Sequence, residues 1–168
     1  MATKKIWVVP NRCLGCEECR RACSKAHDLT PERNWLVLLD NFFPIPLRCA
    51  HCTEPSCMPA CDVKAISRTA DGIVLIDDEK CTGCGNCVLA CPYGMIQLNL
   101  DTKKALKCDM CLDRLEEGKE PACVTNCALQ ALVFGDIKDI EKEKGEEIAK
   151  KLISSGDLLR EIMAFKEG

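Results

Sequence analysis

Short apolar runs alternate with turn residues along most of the chain. The pattern predicts strands at residues 35–39, at 73–76 after Asp71-Gly72, and at 96–100, the last paired through a turn at 101–104 with 105–107. Turn residues such as Asp40, Gly72, Asp77 and Asp101 lie at the ends of these runs, as is typical of strand ends and turns. The longest runs are far shorter than the ~20 residues needed to cross a bilayer. We therefore expect small strands joined by turns and no membrane insertion.

The last part of the sequence has a different pattern. Residues 137–153 are rich in lysine and glutamate and are predicted to be helical, with an interruption at Gly145, and Asp157 can cap a second short helix. An apolar stripe on that second helix comprises Leu158, Leu159, Ile162, Met163 and Phe165. The stripe can pack on its own domain or dock a partner, including a second copy of the chain. We predict a helical C-terminal extension at 137–168.

Composition changes this picture, because 16 of the 168 residues are cysteine. That content is typical of a disulfide framework or a metal scaffold. The first residues lack the apolar stretch of a secretory signal, and the Arg20-Arg21 pair has no apolar segment after it. A cytoplasmic location is therefore expected. Thiols stay reduced there, which favours metal binding over disulfides.

The cysteines form four groups of four, and the groups repeat. The segments before the first and third groups are similar to each other, as are the second and fourth groups, although the fourth carries a longer loop. The groups are Cys13, Cys16, Cys19 and Cys23; Cys49, Cys52, Cys57 and Cys61; Cys81, Cys84, Cys87 and Cys91; and Cys108, Cys111, Cys123 and Cys127. The chain is predicted to be a duplicated unit.

The first and third groups have the spacing C-x2-C-x2-C-x3-C of bacterial iron–sulfur loops, and Pro92 completes the second of these runs. Three thiolates in one tight loop hold three irons of a cubane. The fourth cysteine is expected to start a helical turn that faces away from that loop, so that it reaches a neighbouring cluster. A zinc site needs only two CxxC-type pairs, so the third cysteine favours iron–sulfur chemistry. The second and fourth groups, taken in isolation, also suit zinc.

The stretch from Cys57 to Cys81 is similar to the middle of a two-cluster ferredoxin, in which a hairpin joins two ligand loops. The second and third groups would then form one module, and the first and fourth groups a second. This nested order resembles the four-cluster electron-transfer subunits of the molybdenum and tungsten pterin oxidoreductases, which also serve hydrogenases and carbon monoxide dehydrogenases. The resemblance covers residues 4 to about 136 and includes Cys49-Ala-His-Cys52 and Ala131-Leu-Val-Phe-Gly-Asp136.

The resemblance implies an α+β fold with two bacterial-ferredoxin-like modules nested in one chain around four [4Fe-4S] clusters. The outer module would comprise residues 1–48 plus 92–136, and the inner module residues 49–91. The implied ligands are Cys13, Cys16, Cys19 and Cys127 for cluster 1; Cys23, Cys108, Cys111 and Cys123 for cluster 2; Cys49, Cys52, Cys57 and Cys91 for cluster 3; and Cys61, Cys81, Cys84 and Cys87 for cluster 4. Three fourth-position cysteines lack the proline that usually follows, so we expect small shifts in their loops.

The function implied is a non-catalytic subunit that relays single electrons between a catalytic oxidoreductase subunit and an acceptor or donor. The partner would be of the formate dehydrogenase, tungsten aldehyde oxidoreductase, hydrogenase or carbon monoxide dehydrogenase type, with a further redox subunit or acceptor. A free polyferredoxin carrier and a zinc-stabilised scaffold are the alternatives. The sequence contains no GxGxxG, P-loop, nucleophile elbow or HExxH motif for substrate chemistry.

Charge argues against nucleic acid as a partner, because the formal net charge is −3 and thiolate ligands make the protein more acidic. Basic residues beside the cysteines are expected to raise reduction potentials or to be solvated; they are Arg12, Arg20, Arg21, Lys25, Arg48, Lys80, Lys103, Lys104, Lys107 and Arg114.

Sixteen cysteines fill four cubanes. His27 and His51 are therefore expected to hydrogen-bond or pack, and not to bind metal.

Overall fold

A computed structural model describes residues 4–28, 32–40, 42–136, 138–142, 145–146 and 150. These residues form short strands and short helices. The strands are β1 (Lys5–Val8), β2 (Asn34–Leu39), β3 (Phe43–Arg48), β4 (Ile66–Arg68), β5 (Val74–Ile76), β6 (Gln97–Asn99), β7 (Lys104–Leu106) and β8 (Leu132–Gly135). The helices are α1 (Glu18–His27), α2 (Asn86–Ala90), α3 (Leu112–Glu116) and α4 (Ala122–Thr125), with a 3-10 turn at Pro10–Arg12. The mixed α+β class predicted from the sequence is confirmed.

The strands pair into four two-stranded sheets: β1 with β8, β2 with β3, β4 with β5 and β6 with β7. The last three pairs are antiparallel hairpins. The predicted strand at 96–100 is β6 and its predicted partner is β7, with Leu98 opposite Ala105. The predicted strand at 73–76 is β5, which pairs with β4 between the second and third cysteine groups. Turn chemistry at the tips of the β4–β5 and β6–β7 hairpins was therefore a sound guide to these elements, whereas β3 was not predicted.

The pairing of β1 with β8 joins segments that are far apart in the sequence. The backbone N–H of Val9 extends this contact by donating to the carbonyl of Ala131 at 2.8 Å. Helices α1 and α4 also pack against each other. Because α1 carries part of the first cysteine group and α4 carries part of the fourth, these two groups lie side by side.

The main hydrophobic core lies between the second and third cysteine groups. Small and β-branched side chains from the β4–β5 and β6–β7 hairpins fill it, and three cysteines are part of it. Its buried members are Cys57, Ala65, Ile66, Val74, Cys81, Cys87, Ile96 and Ala105. Such a core offers little apolar area, so metal ligation by its cysteines is expected to contribute to folding free energy.

The duplication is visible in the backbone conformation. Gly15 and Gly83 occupy corresponding positions of the first and third groups and have φ of +73° and +71°. Glu17 and Gly85 correspond in the same way and both precede a helix in the left-handed conformation. At Gly83 a β-carbon would lie 1.9 Å from the carbonyl oxygen of Lys103, so only glycine fits there.

The C-terminal part is described only in places. The chain divides into two compact units, Met1–Phe134 and Gly135–Gly168. Residues 138–142 are helical, but the helix predicted for 137–153 as a whole stays a prediction, and the predicted second helix after Asp157 lies outside the described residues. Within the described part of the chain, no helix has the length and apolar character that a membrane crossing requires.

Candidate metal centres

None of the sixteen cysteines forms a disulfide, and they border four cavities, with four cysteines at each. Each cavity brings together three cysteines of one group with one cysteine of another group. Site 1 has Cys13, Cys16, Cys19 and Cys127; site 2 has Cys23, Cys108, Cys111 and Cys123; site 3 has Cys49, Cys52, Cys57 and Cys91; site 4 has Cys61, Cys81, Cys84 and Cys87. These are the same groupings as the four predicted ligand sets.

The fourth cysteine of three groups opens a single backbone turn that directs an N–H at its own sulfur. After Cys91, for example, the N–H of Gly94 donates to the Cys91 carbonyl at 3.1 Å, and the N–H of Met95 donates to Cys91 Sγ at 3.3 Å. The N–H of Ala65 donates to Cys61 Sγ in the same way, at 3.2 Å. Hydrogen bonds of this kind favour a negatively charged sulfur.

Cys127 has this turn too, with the N–H of Ala131 donating to its Sγ at 3.2 Å. Cys61 and Cys127 therefore adopt the geometry of Cys91 although neither precedes a proline. Cys23 differs, because α1 continues through it to His27. The expectation that the fourth cysteine begins a helical turn is wrong for Cys23, where residues 24–26 (Ser-Lys-Ala) extend the helix instead.

Further backbone N–H groups point at cysteines that begin a ligand group. The N–H of His51 lies 3.5 Å from Cys49 Sγ, and the N–H of Met110 lies 3.4 Å from Cys108 Sγ. Both donor residues have positive φ, which turns the peptide toward the sulfur. The second and fourth groups thus use one loop geometry, as their sequence similarity predicts.

Site 2 is the most deeply placed of the four sites, since all four of its cysteines are buried. The pKa of Cys23 is raised to about 11 and that of Cys123 to about 12, and burial is the largest cause of both shifts. Burial also raises the pKa of the Cys108 thiol far above its usual range. A metal that binds thiolates tightly, or nearby positive charge, is needed to hold these sulfurs deprotonated.

Positive charge is present at site 2. Arg33 and Arg48 both border its cavity, and the buried Nε of each has no hydrogen-bond partner in the described structure. Arg48 also lowers the pKa of Cys123, against the larger effect of burial. Unpaired guanidinium N–H groups beside four thiols fit an anionic group such as a thiolate-bound iron–sulfur cluster.

Three residues at site 2 were not predicted as site residues. His27 was expected only to hydrogen-bond or pack, and no role was predicted for Arg33 or Asp109. His27 Nε2 lies 3.4 Å from Cys111 Sγ and 3.4 Å from a carboxylate oxygen of Asp109, and Arg33 pairs with that carboxylate. Asp109 lies inside a CxxC pair and could have been suspected, whereas Arg33 lies in a distant segment with no local signal. Because Cys111 belongs to site 2, we assign no separate metal site here.

His51, which lies between Cys49 and Cys52 in the sequence, is almost completely buried. Its Nδ1 accepts a hydrogen bond from the N–H of Val74 at 3.0 Å. Burial and then the Lys107 ammonium lower the pKa of His51 to about 3, so the ring is neutral at physiological pH. The hydrogen-bonding role expected for His51 fits this contact.

Sites 1 and 4 differ from site 2 in their access to solvent. Cys16 of site 1 and Cys84 of site 4 are exposed, and Leu14 beside Cys16 is 77% exposed. Cys16 and Cys84 are the second cysteines of the two C-x2-C-x2-C loops. Each loop therefore presents one cysteine at the protein surface.

This combination of a duplicated α+β chain and four cavities, each bordered by four thiols and backbone N–H groups, defines an iron–sulfur protein of the polyferredoxin class. Comparison with known proteins agrees with that class. The 4Fe-4S dicluster domain matches residues 39–137. The chain belongs to this family and binds [4Fe-4S] clusters.

Named relatives extend the match along the chain. One chain of the anaerobic dimethyl sulfoxide reductase of Escherichia coli is 37% identical over 158 residues, covering 84% of this protein and 77% of the relative. A subunit of the tetrathionate reductase of Salmonella typhimurium is 38% identical, and the match covers 76% of this protein and 56% of the relative. The iron-sulfur subunit of the nitrate-inducible formate dehydrogenase of E. coli is 32% identical, with 82% and 56% covered.

Proposed function

We propose that this protein is a non-catalytic subunit that relays single electrons between a catalytic oxidoreductase subunit and an acceptor or donor. The observation that carries the proposal is the gathering of all sixteen cysteines into four groups of four around separate cavities. A [4Fe-4S] cluster, when bound, takes up and releases one electron at a time. Four such sites in one small chain suit passage of electrons through the protein.

The ligand assignment is part of the proposal. Clusters 1 to 4 would be held by the cysteines of sites 1 to 4. Within each module, each of the two cysteine groups would supply its fourth cysteine to the site formed mainly by the other group. Support comes from the cavities, since each one gathers the four cysteines of one predicted set.

The nested arrangement of modules is likewise proposed. The outer module would comprise residues 1–48 plus 92–136 and the inner module residues 49–91. The β1–β8 pair and the packing of α1 on α4 support an outer module built from both ends of this region. The β4–β5 hairpin between the second and third groups supports a continuous inner module.

The protein's own groups would keep the added charge stable and exclude water. Backbone N–H groups donate to sulfur at Cys49, Cys61, Cys81, Cys91, Cys108 and Cys127. Apolar side chains such as Val74 and Ile96 border site 3, and Leu36 and Leu132 border site 1. Dry surroundings and N–H donors are the means by which a protein sets cluster potentials.

The exposed loops of sites 1 and 4 are the proposed points of electron entry and exit. Site 2 has only buried cysteines, so it suits an internal position. A catalytic subunit would cover one exposed loop, at Cys16 or Cys84, and the electron acceptor or donor would approach the other. Substituting Leu14, which does not ligate metal, should then weaken electron transfer to whichever protein covers site 1.

The relatives are chains of a dimethyl sulfoxide reductase, a tetrathionate reductase and a formate dehydrogenase, and by analogy the partner proposed here is a catalytic subunit of that kind. Tungsten aldehyde oxidoreductase, hydrogenase and carbon monoxide dehydrogenase subunits are the further partner classes proposed. A cytoplasmic location is also proposed, since sixteen cysteines in groups that suit metal, with no disulfide among them, fit a reducing compartment.

The test begins with the protein purified anaerobically with its native partner. About sixteen iron and sixteen acid-labile sulfide per chain are expected from four cubanes with four cysteine ligands each. The complex should be brown and should bleach with dithionite, whereas a zinc scaffold is colourless. Iron near twelve per chain, or zinc in place of iron, would contradict four cubanes.

Metal analysis of the same complex identifies the partner class. Molybdenum or tungsten indicates a pterin oxidoreductase, and nickel indicates a hydrogenase or carbon monoxide dehydrogenase. Reduction of the clusters by the partner's substrate, in stopped-flow absorbance, tests the relay itself. If the chain purifies without any partner and substrate never reduces it, the free-carrier alternative is favoured.

A further inference from the structure

Lys107 is the one lysine or arginine that is buried within the described part of the chain, at 4% exposure. It directly precedes Cys108 of site 2. Its ammonium donates to the carbonyl of Cys108 at 2.8 Å and also to the carbonyl of Val74. Val74 borders site 3. A single buried ammonium therefore contacts the backbone of two different cysteine sites.

No carboxylate pairs with this ammonium among the described residues. The acid nearest to it in sequence, Asp109, is engaged by Arg33 and His27. Two carbonyl dipoles compensate a buried charge only in part, and an unpaired buried ammonium is costly. The structure thus requires negative charge close to Lys107 in at least one of the two cysteine sites, site 2 or site 3.

Both cysteine sites lie beside this charge, since Val74 borders site 3 and Cys108 is one of the four cysteines of site 2. The positive charge therefore favours anionic sulfur in two cavities at once. Thiolate-bound cubanes carry net negative charge, which increases by one on reduction.

We propose that Lys107 is a counter-ion shared by the clusters of sites 2 and 3, and that it raises the reduction potential of both. This inference rests on the proposed four-cluster function and adds a positioning residue at the contact between the two modules. Stabilising the reduced form at both sites would make each of these two clusters easier to reduce where the two modules meet.

Arg48 provides a comparison within the same chain. It precedes Cys49 as Lys107 precedes Cys108, but it borders site 2. Burial raises the pKa of Cys19 in site 1 and of Cys123 in site 2, and Arg48 partly opposes that rise in both. Its expected influence is therefore on sites 1 and 2. Lys80 also precedes a ligand cysteine, yet its side chain is 64% exposed and pairs with Asp77 at 2.7 Å.

The test is an EPR-monitored redox titration of the anaerobic holoprotein, in which Cys57→Ser and Cys111→Ser assign the signals of sites 3 and 2. Lys107→Met removes the charge at similar length. It should lower the midpoint potentials of sites 2 and 3 and leave sites 1 and 4 at wild-type values. Lys107→Arg should restore both potentials, and the control Lys80→Gln should leave all four unchanged.

Several results would overturn the proposal. They are unchanged potentials in Lys107→Met, an equal shift of all four, or a shift confined to sites 1 and 2 as expected for Arg48→Gln. If Lys107→Met binds less iron, the loss must fall on site 2 or site 3, and loss from site 1 or site 4 is contrary to the proposal. An iron content well below sixteen in the wild type contradicts the four-cluster function instead, so the two failures are distinct.

Discussion

Gly83 offers the sharpest test of how the backbone shapes a cysteine loop. It lies between Cys81 and Cys84 of site 4, with φ of +71°, and a β-carbon there would lie 1.9 Å from the carbonyl oxygen of Lys103. Gly94 is a matched control, because its φ is +63° and nothing lies within 4 Å of its β-carbon position. The two substitutions to alanine therefore share the conformational penalty and differ only in the clash.

The magnitudes follow from that difference. Alanine in the left-handed conformation costs about 1 kcal/mol relative to glycine, and this is the whole effect expected for Gly94→Ala. At Gly83 the β6–β7 turn must also move by roughly 1 Å, and overpacking of this kind adds about 1–3 kcal/mol. Apparent melting temperature should fall by roughly 2–4 °C in Gly94→Ala and roughly 4–16 °C in Gly83→Ala.

The assay compares thermal unfolding and iron content of the two holoproteins prepared side by side. Because Gly83 belongs to the site 4 loop, Gly83→Ala should lose up to about four iron, the content of one cubane, and Gly94→Ala should keep its iron. Equal melting temperatures and equal iron in the two variants would refute the argument. In that case the close approach of the Lys103 carbonyl would not constrain the loop.

Three further predictions concern the ligands, a buried amide and the tail. Cys91→Ser should damage the cluster whose other ligands are in the second cysteine group, and an EPR change confined to the third group's cluster would contradict the exchange of ligands. Asn34→Ala should lower stability by about 1 kcal/mol in thermal unfolding, since the buried amide donates to the Cys19 carbonyl at 3.0 Å; an unchanged melting temperature would count against this bond. Deletion of residues 155–168, which lie outside the described part of the chain, should leave all clusters assembled and weaken association with the partner or with further copies. Equal co-elution of truncated and full chains with the partner in size-exclusion chromatography would exclude docking by the tail.

Cysteine spacing alone determined the kind of chemistry in this protein. Three cysteines within seven residues place three thiols in one loop, and this local geometry is characteristic of a cubane whatever the surrounding fold. The hairpins β4–β5 and β6–β7 could also be predicted from neighbouring residues, because turn residues at their tips favour a reversal of the chain. The family comparison agrees with the predicted chemistry, and the strand pairing agrees with the predicted hairpins.

The surroundings of the sites came only from the tertiary structure. Arg33, His27 and Asp109 meet at site 2 from segments that no spacing relates, and the exceptional burial of Lys107 among ten basic residues near cysteines has no signature in the sequence. Even the continuation of α1 through Cys23 was missed, since the same cysteine pattern opens a short turn elsewhere. Ligand spacing is a short-range property of the chain, whereas burial and charge at a site depend on which distant segments pack around it.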